Sequence, residues 1–194
     1  MKDIELIELF AETFQYWSGF EEDPWLRVKT EFPLRSGVTF PNVPGIYMFK
    51  SSNFGSYYIG SASSKIMLQG RLAGKLTADI RESRCVNFRD EKGLLHHWYS
   101  YLPIYEEEST TLFYLKSNSQ ISHLDAEGIM HAAYFEKYKI MPQGHLNRGK
   151  LRHNPPRFAK TNDTKASGLL LNISEQFGLQ EPKKILIRNG VYNG

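Results

Sequence analysis

Two short runs of aromatic and β-branched residues, separated by a turn, constrain the fold more than any other feature of the sequence. The first run extends from Gly45 to Phe49 and the second from Ser56 to Gly60. Residues of this kind favour strands, and the intervening residues 51–55 are rich in serine, asparagine and glycine, which form turns. The sequence therefore predicts an antiparallel hairpin that brings the rings of Tyr47 and Tyr58 to one face.

Helical patterns lie on both sides of the hairpin. Apolar residues recur at helical spacing from Ile4 to Trp17, which predicts an amphipathic N-terminal helix. Leucine or isoleucine recurs every four residues from Leu68 to Ile80, which predicts a helix carrying Arg71 and Lys75 one turn apart.

The rest of the chain is less regular. Residues 23–44 are interrupted by prolines and are predicted to be an irregular wrap. A third strand is predicted over residues 110–115, followed by a helix from Ser122 to about Lys139, because Ser122 and Asp125 resemble a capping box. The tail ends in a strand-like run at residues 184–187.

Length and composition point to one soluble domain or to one domain with appendages. The chain has 194 residues and one cysteine, Cys85, which excludes an internal disulfide and a cysteine-rich zinc site. No run approaches the roughly 20 apolar residues of a membrane helix, and the first residues are acidic where a signal peptide is basic. We therefore expect a cytoplasmic protein that does not enter a membrane.

Charge is divided unevenly along the chain. Residues 1–32 contain eight acidic and three basic side chains, whereas residues 145–160 contain five basic side chains, two histidines and no acid. Such a basic segment is either a solvated surface or a surface that binds the phosphates of nucleic acid. On the second interpretation the phosphate-binding residues are Arg148, Lys150, Arg152, Arg157 and Lys160.

Four side chains offer the chemistry of phosphodiester hydrolysis. Tyr47 and Tyr58 can take or relay a proton, and Arg71 on the next helix can hold phosphoryl oxygens through two hydrogen bonds. Glu127, on a later helix that could pack against the same sheet, can anchor one hydrated divalent ion. A tyrosine on a strand is more often a packing residue, so the hydrolytic interpretation depends on all four groups meeting.

The same residues resemble the motif of the GIY-YIG endonuclease family. Gly45-Ile46-Tyr47 is followed, after ten intervening residues, by Tyr58-Ile59-Gly60. Arg71 in a Gly-Arg-Leu context, Glu127 and Asn147 follow in the family's order. The resemblance covers roughly residues 42–149.

The resemblance implies an α/β protein of the α+β type, with a small mixed three-stranded sheet flanked by helices. It divides the chain into an N-terminal helix and wrapping segment (residues 1–41), a catalytic domain (42–150) and a C-terminal extension (151–194). It further implies a nuclease dependent on Mg²⁺ or Mn²⁺, with DNA as its partner.

Roles for individual residues also come from the resemblance. Tyr47 is expected to accept a proton from the attacking water or to position that water, and Tyr58 to help hold water and phosphate. Arg71 is expected to neutralise developing negative charge, Glu127 to ligate the metal ion, and Asn147 to be a structural or phosphate-contacting residue.

Lys75 departs from the family pattern, in which a histidine or a tyrosine often follows the arginine by one turn. A lysine can donate to phosphate or lower the pKa of a nearby phenol, but it is a poor proton acceptor. We therefore include Lys75 among the catalytic residues and expect Tyr47 to be the general base.

Two alternatives remain open at this point. The chain can be a nucleic-acid-binding module of the same fold with little catalysis, or a zinc-dependent hydrolase built on His123, Glu127 and His131, which share one helical face. The favoured function is a compact stand-alone DNA endonuclease, restriction-like or from a mobile element or phage. Its oligomeric state stays open, a homodimer included.

Overall fold

The computed structural model describes residues 2–17, 26–30, 42–51, 55–76, 110–116, 120–142, 155–160, 163–181, 185–187 and 190–192. Its helices are α1 (Asp3–Trp17), α2 (Met67–Leu76), α3 (His123–Tyr138) and α4 (Thr164–Gln176), with a 3₁₀ turn at Arg157–Ala159. Its strands are β1 (Leu26–Thr30), β2 (Gly45–Ser51), β3 (Gly55–Ala62), β4 (Thr110–Lys116), β5 (Ile185–Ile187) and β6 (Gly190–Tyr192). The protein thus combines helices with β-sheets, as the sequence predicts.

The main sheet has four strands in the order β1-β4-β2-β3, and every neighbouring pair is antiparallel. The expectation of a mixed three-stranded sheet was therefore wrong in strand number and in direction. β2 and β3 are antiparallel because a short turn joins them, and β4 lies against the other edge of β2. A smaller sheet pairs β5 with β6.

Strand β1 lies in the stretch that was predicted to be an irregular wrap. Its five residues contain no proline, and Leu26 and Val28 alternate with Arg27 and Lys29. This alternation is typical of a strand, and an edge strand is compatible with prolines on either side of it. The prolines therefore delimit a strand here and do not exclude one.

The other predicted elements are confirmed within the described residues. The hairpin, the N-terminal helix, the strand after residue 109 and the helix that carries Arg71 are all present. The Ser122 hydroxyl accepts from the backbone N–H of Asp125 at 3.0 Å and so caps α3, as the capping pattern predicts. Residues 77–80 of the predicted second helix lie outside the described part.

The core lies between one face of the main sheet and three helices. Ile46, Met48 and Ile59 from the sheet pack with buried residues of α1, α3 and α4. All three predicted segments of the chain therefore contribute to one core, and the boundaries at residues 41 and 150 stay a prediction. Within the described residues, no helix has the length and apolar character needed to cross a membrane.

Residues that follow α4 form hydrogen bonds with the first residues of β3. The backbone N–H of Ser56 donates to the carbonyl of Gln180 at 3.2 Å, and the Ser56 hydroxyl accepts from the N–H of Gln180 at 3.0 Å. Gly55 has a φ of 63°, and a Cβ there would collide with the carbonyl group of Glu181. Strand β3, the outer strand of the hairpin, is thus fixed at its first residues, at the end away from Gly60.

Candidate functional site

The two motif tyrosines lie on the face of the sheet opposite to the main core. Side chains alternate along β2, so Tyr47 and Phe49 point away from the face that carries Ile46 and Met48. Tyr58 pairs across the hairpin with Phe49, and the ring centroids of Tyr47 and Tyr58 are 5.9 Å apart. The prediction that the hairpin brings both rings to one face is confirmed.

Gly60 makes room for the ring of Tyr47. It is the cross-strand partner of Tyr47, and a Cβ on it would lie 2.6 Å from the Tyr47 hydroxyl oxygen and 2.8 Å from Tyr58 Cε1. Real Cβ contacts are longer than this, so any larger residue would displace the rings. The Tyr47 hydroxyl therefore lies directly beneath β3 at Gly60.

Burial controls the acidity of Tyr47. The residue is completely buried, and desolvation raises the pKa of its hydroxyl well above the ordinary value. The neighbouring Tyr58 also raises this pKa, whereas the nearby positive charge of Arg71 lowers it. The net result is a phenol that stays protonated at neutral pH.

Helix α2 places Arg71 near this phenol. The helix begins with Met67 in the left-handed region, at a φ of 57°, and the backbone N–H of Leu68 donates to the carbonyl of Val43 at 2.8 Å. Buried Leu68 and Leu72 keep the helix on β2 and β3, while Arg71 itself is exposed. The guanidinium is thus accessible to solvent and close enough to Tyr47 to influence its pKa.

Glu127 approaches the same strand from the other face. Helix α3 packs on β3, and the Ser61 hydroxyl donates a hydrogen bond to Glu127 Oε2. Glu127 is half-buried. Since Ser61 directly follows Gly60, the carboxylate and the Tyr47 hydroxyl reach adjacent residues of β3 from opposite faces.

His131 anchors α3 one turn after Glu127. Its Nε2 lies 3.1 Å from the carbonyl oxygen of Ile59, and because a carbonyl only accepts, Nε2 carries the proton. Burial lowers the pKa of His131, although the charge of Glu127 and the bond to Ile59 oppose this effect. His131 is therefore a buried residue one helical turn from Glu127.

Glu127 suits a hydrated Mg²⁺ or Mn²⁺ better than a zinc ion. Among the described residues Oε2 accepts the bond from Ser61, which leaves Oε1 for a hard cation that keeps most of its waters. His131 already donates to Ile59, and no three His, Cys, Asp or Glu side chains in the described part of the chain converge on a common point. His123, Glu127 and His131 thus do not form a zinc site.

The remaining predicted residues are only partly described. Lys75 lies in α2, but its side chain is outside the described part, as are Asn147, Arg148, Lys150 and Arg152 in full. Lys160 is exposed.

Arg157 forms two ion pairs. Its Nη2 lies 2.6 Å from Asp3 Oδ1 and its Nη1 lies 3.2 Å from Asp125 Oδ1. The guanidinium also stacks on Phe158, at 4.6 Å from the ring centre. Arg157 thus joins α1 to the beginning of α3.

Two residues of this site received no role from the sequence. Gly60 was noted only as the last residue of the Tyr58-Ile59-Gly60 motif, and no sequence feature pointed to Ser61. Alternation along β3 could have placed Ser61 on the same face as Ile59, but its partner lies 66 positions away on α3. No local pattern indicates such a contact.

Comparison with known proteins identified no relative of the chain. No protein-family model matches the chain, and no match was found among curated proteins or solved structures.

Proposed function

We propose that the protein is a divalent-metal-dependent endonuclease that hydrolyses phosphodiester bonds of DNA, of the kind that the GIY-YIG resemblance implies. One observation carries the proposal. The Tyr47 hydroxyl with Arg71 and the Glu127 carboxylate approach adjacent residues of one edge strand, Gly60 and Ser61, from its two faces, so a phosphate group lying across that edge would be within reach of both.

Tyr47 and Tyr58 position the attacking water in this proposal. Because the pKa of Tyr47 is raised by burial, its phenol is a neutral hydrogen-bonding group near pH 7 and not a preformed base. A fixed hydroxyl can orient a water and relay its proton, which supplies geometry more than basicity. This favours the positioning role over that of general base.

Arg71 and Glu127 act on the phosphate. The exposed guanidinium lies near Tyr47 and can form two hydrogen bonds to phosphoryl oxygens. Glu127 would hold the divalent ion, which supplies charge stabilisation for the phosphoryl group. Because phosphoryl transfer depends mainly on positioning and charge neutralisation, these residues would suffice without a covalent nucleophile.

DNA would extend onto the basic segment. Arg148, Lys150, Arg152 and Lys160 are proposed to contact flanking phosphates, whereas the charge of Arg157 is partly offset by Asp3 and Asp125. Lys75 and Asn147 are proposed to contact the phosphate close to the reacting bond. A compact enzyme of this kind suits a restriction-like, mobile-element or phage role.

The second candidate is a nucleic-acid-binding module with weak catalysis. The observation that favours it is the complete burial of Tyr47, whose hydroxyl is closed to solvent beside Gly60 and Tyr58. A module of this kind would bind DNA through its basic residues without using Glu127. The two candidates therefore differ in the effect of changing Glu127.

Supercoiled plasmid incubated with the protein and Mg²⁺ tests the proposal, scored as discrete fragments, nicks or a smear. We expect Glu127→Ala to fold and bind DNA in EDTA as the wild type does, but to lose Mg²⁺-dependent cleavage. Glu175→Ala is the matched control, because Glu175 is an exposed residue of α4. Cleavage by folded Glu127→Ala near the wild-type rate would remove the metal assignment, and binding without any cleavage by the wild type would favour the module.

A further inference from the structure

We propose that Ser61 is a positioning residue for Glu127: its hydroxyl holds the carboxylate in the orientation in which the other oxygen binds the divalent ion. This inference rests on the proposed function, since it concerns the same ion. It adds a residue outside the tyrosine pair, the arginine and the carboxylate.

The backbone directs Ser61 to the correct face. Ser61 is two residues after Ile59 on β3, so both side chains face α3. The Ile59 carbonyl bonds to His131 at 3.1 Å, and the Ser61 hydroxyl bonds to Glu127. Two contacts one helical turn apart therefore fix α3 and its carboxylate against a single strand.

The chemistry of the pair supports an orienting role. A glutamate side chain has three rotatable bonds, and an exposed one would sample many orientations. The Ser61 hydroxyl engages Oε2, fixes the plane of the carboxylate and leaves Oε1 for a cation. Hydrogen bonds from such outer groups orient ligands and alter metal affinity by about 10- to 100-fold.

A purely mechanical role makes a different prediction. If the bond only ties α3 to β3, its loss lowers the melting temperature and leaves metal affinity unchanged. If the bond orients the carboxylate, its loss weakens metal binding even in DNA-free protein. Metal affinity without DNA therefore separates the two roles.

The experiment uses the full chain labelled with ¹⁵N and Mn²⁺ as the probe. Paramagnetic broadening of the amide signals of residue 61 and Gly128 reports binding at Glu127 without DNA or catalysis. The variants are Ser61→Ala, Ser61→Thr, Glu127→Gln and the matched control Ser64→Ala, since Ser64 is exposed in the next turn. Ser61→Cys, which keeps the volume but donates weakly, replaces the alanine variant if that variant does not fold.

We expect Ser61→Ala to raise the Mn²⁺ concentration at half-broadening by about tenfold or more. Ser61→Thr, which keeps a hydroxyl, and Ser64→Ala should remain near the wild-type midpoint, and Glu127→Gln should abolish the broadening. An unchanged midpoint in Ser61→Ala, together with lost broadening in Glu127→Gln, overturns the role of Ser61 and leaves the proposed function standing. Unchanged broadening in Glu127→Gln overturns both.

Discussion

Gly60 is the residue on which the placement of the two tyrosines depends. The ring of Tyr47 passes beneath its Cα, where a side chain of any size would meet the hydroxyl of Tyr47 and the ring of Tyr58. The requirement is one of space, because the neighbouring atoms are rings buried between the sheet and α2. A glycine at this position therefore lets a tyrosine on the adjacent strand reach the outer edge of the sheet.

Gly60→Ala tests this requirement. We expect a loss of about 1–3 kcal/mol in the free energy of unfolding, because the added methyl group overpacks a site that has no space. Gly168→Ala is the control, since no atom lies within 4 Å of a Cβ at that exposed helical position. There we expect a gain of roughly 0.5–1 kcal/mol. Urea unfolding measures both, and an equally stable Gly60→Ala would contradict the packing described here.

The raised pKa of Tyr47 predicts how stability depends on alkaline pH. In the unfolded chain the phenol ionises with a pKa of about 10, whereas burial keeps it protonated in the folded protein. Above pH 10, unfolding therefore releases the proton of this phenol. The contribution to folding stability that is fully present below pH 10 is lost progressively as the pH rises above that value. Melting temperatures between pH 8 and 11 should fall more steeply for the wild type than for Tyr47→Phe.

The same Tyr47→Phe variant should lower cleavage by roughly a hundredfold, because it removes the hydroxyl that orients water. Its melting temperature near pH 7 should barely change. Normal cleavage together with early melting would show that Tyr47 is a packing residue.

Among the secondary-structure elements, α3 determines where the Glu127 carboxylate lies. It is attached to β3 through Ser61 and His131, and Arg157 connects its first turn to α1. Phe158 packs closely against Gly128, where a Cβ would lie 2.9 Å from the ring. Residues of the predicted C-terminal extension thus help to place Glu127.

Arg157→Gln tests whether this arginine serves the fold or the DNA. We expect a lower melting temperature at low salt and a smaller difference at high salt, because the pairs with Asp3 and Asp125 are exposed and screened. Lys160→Gln, a change on the same segment, is the control and should leave the melting temperature unchanged. If DNA affinity falls as far in Arg157→Gln as in Lys160→Gln, Arg157 also contacts phosphate.

At the level of the whole molecule, charge separates an acidic N-terminal segment from a basic segment at residues 145–160. Arg157 is the described point where these segments meet, through its pair with Asp3. The basic residues before it are the ones proposed to lie on DNA.

Neutralising Arg148, Lys150 and Arg152 together should weaken binding to all duplex sequences alike. The slope of log affinity against log salt should decrease by about 0.9 for each phosphate contact that is lost. Fluorescence anisotropy with two unrelated duplexes over a range of salt concentrations measures this slope. An unchanged slope would show that these three side chains face solvent or contact another part of the protein.

The sequence alone determined the elements whose signals are local. The hairpin, the capped helix α3 and the helix carrying Arg71 were predictable because a period of two or of 3.6 residues, or a serine three positions before an acid, is encoded within a few neighbouring positions. The pairing of Tyr47 with Tyr58 was predictable for the same reason, since one turn joins their strands.

Only the tertiary structure decided which distant residues meet. The bond between Ser61 and Glu127, the pairing of Arg157 with Asp3 and the addition of β1 to the sheet depend on register and helix packing across large sequence separations. The burial that raises the pKa of Tyr47 likewise arises from the packing of α2 on the hairpin. A side chain's chemistry belongs to the sequence, but its partners and its exposure to water belong to the fold.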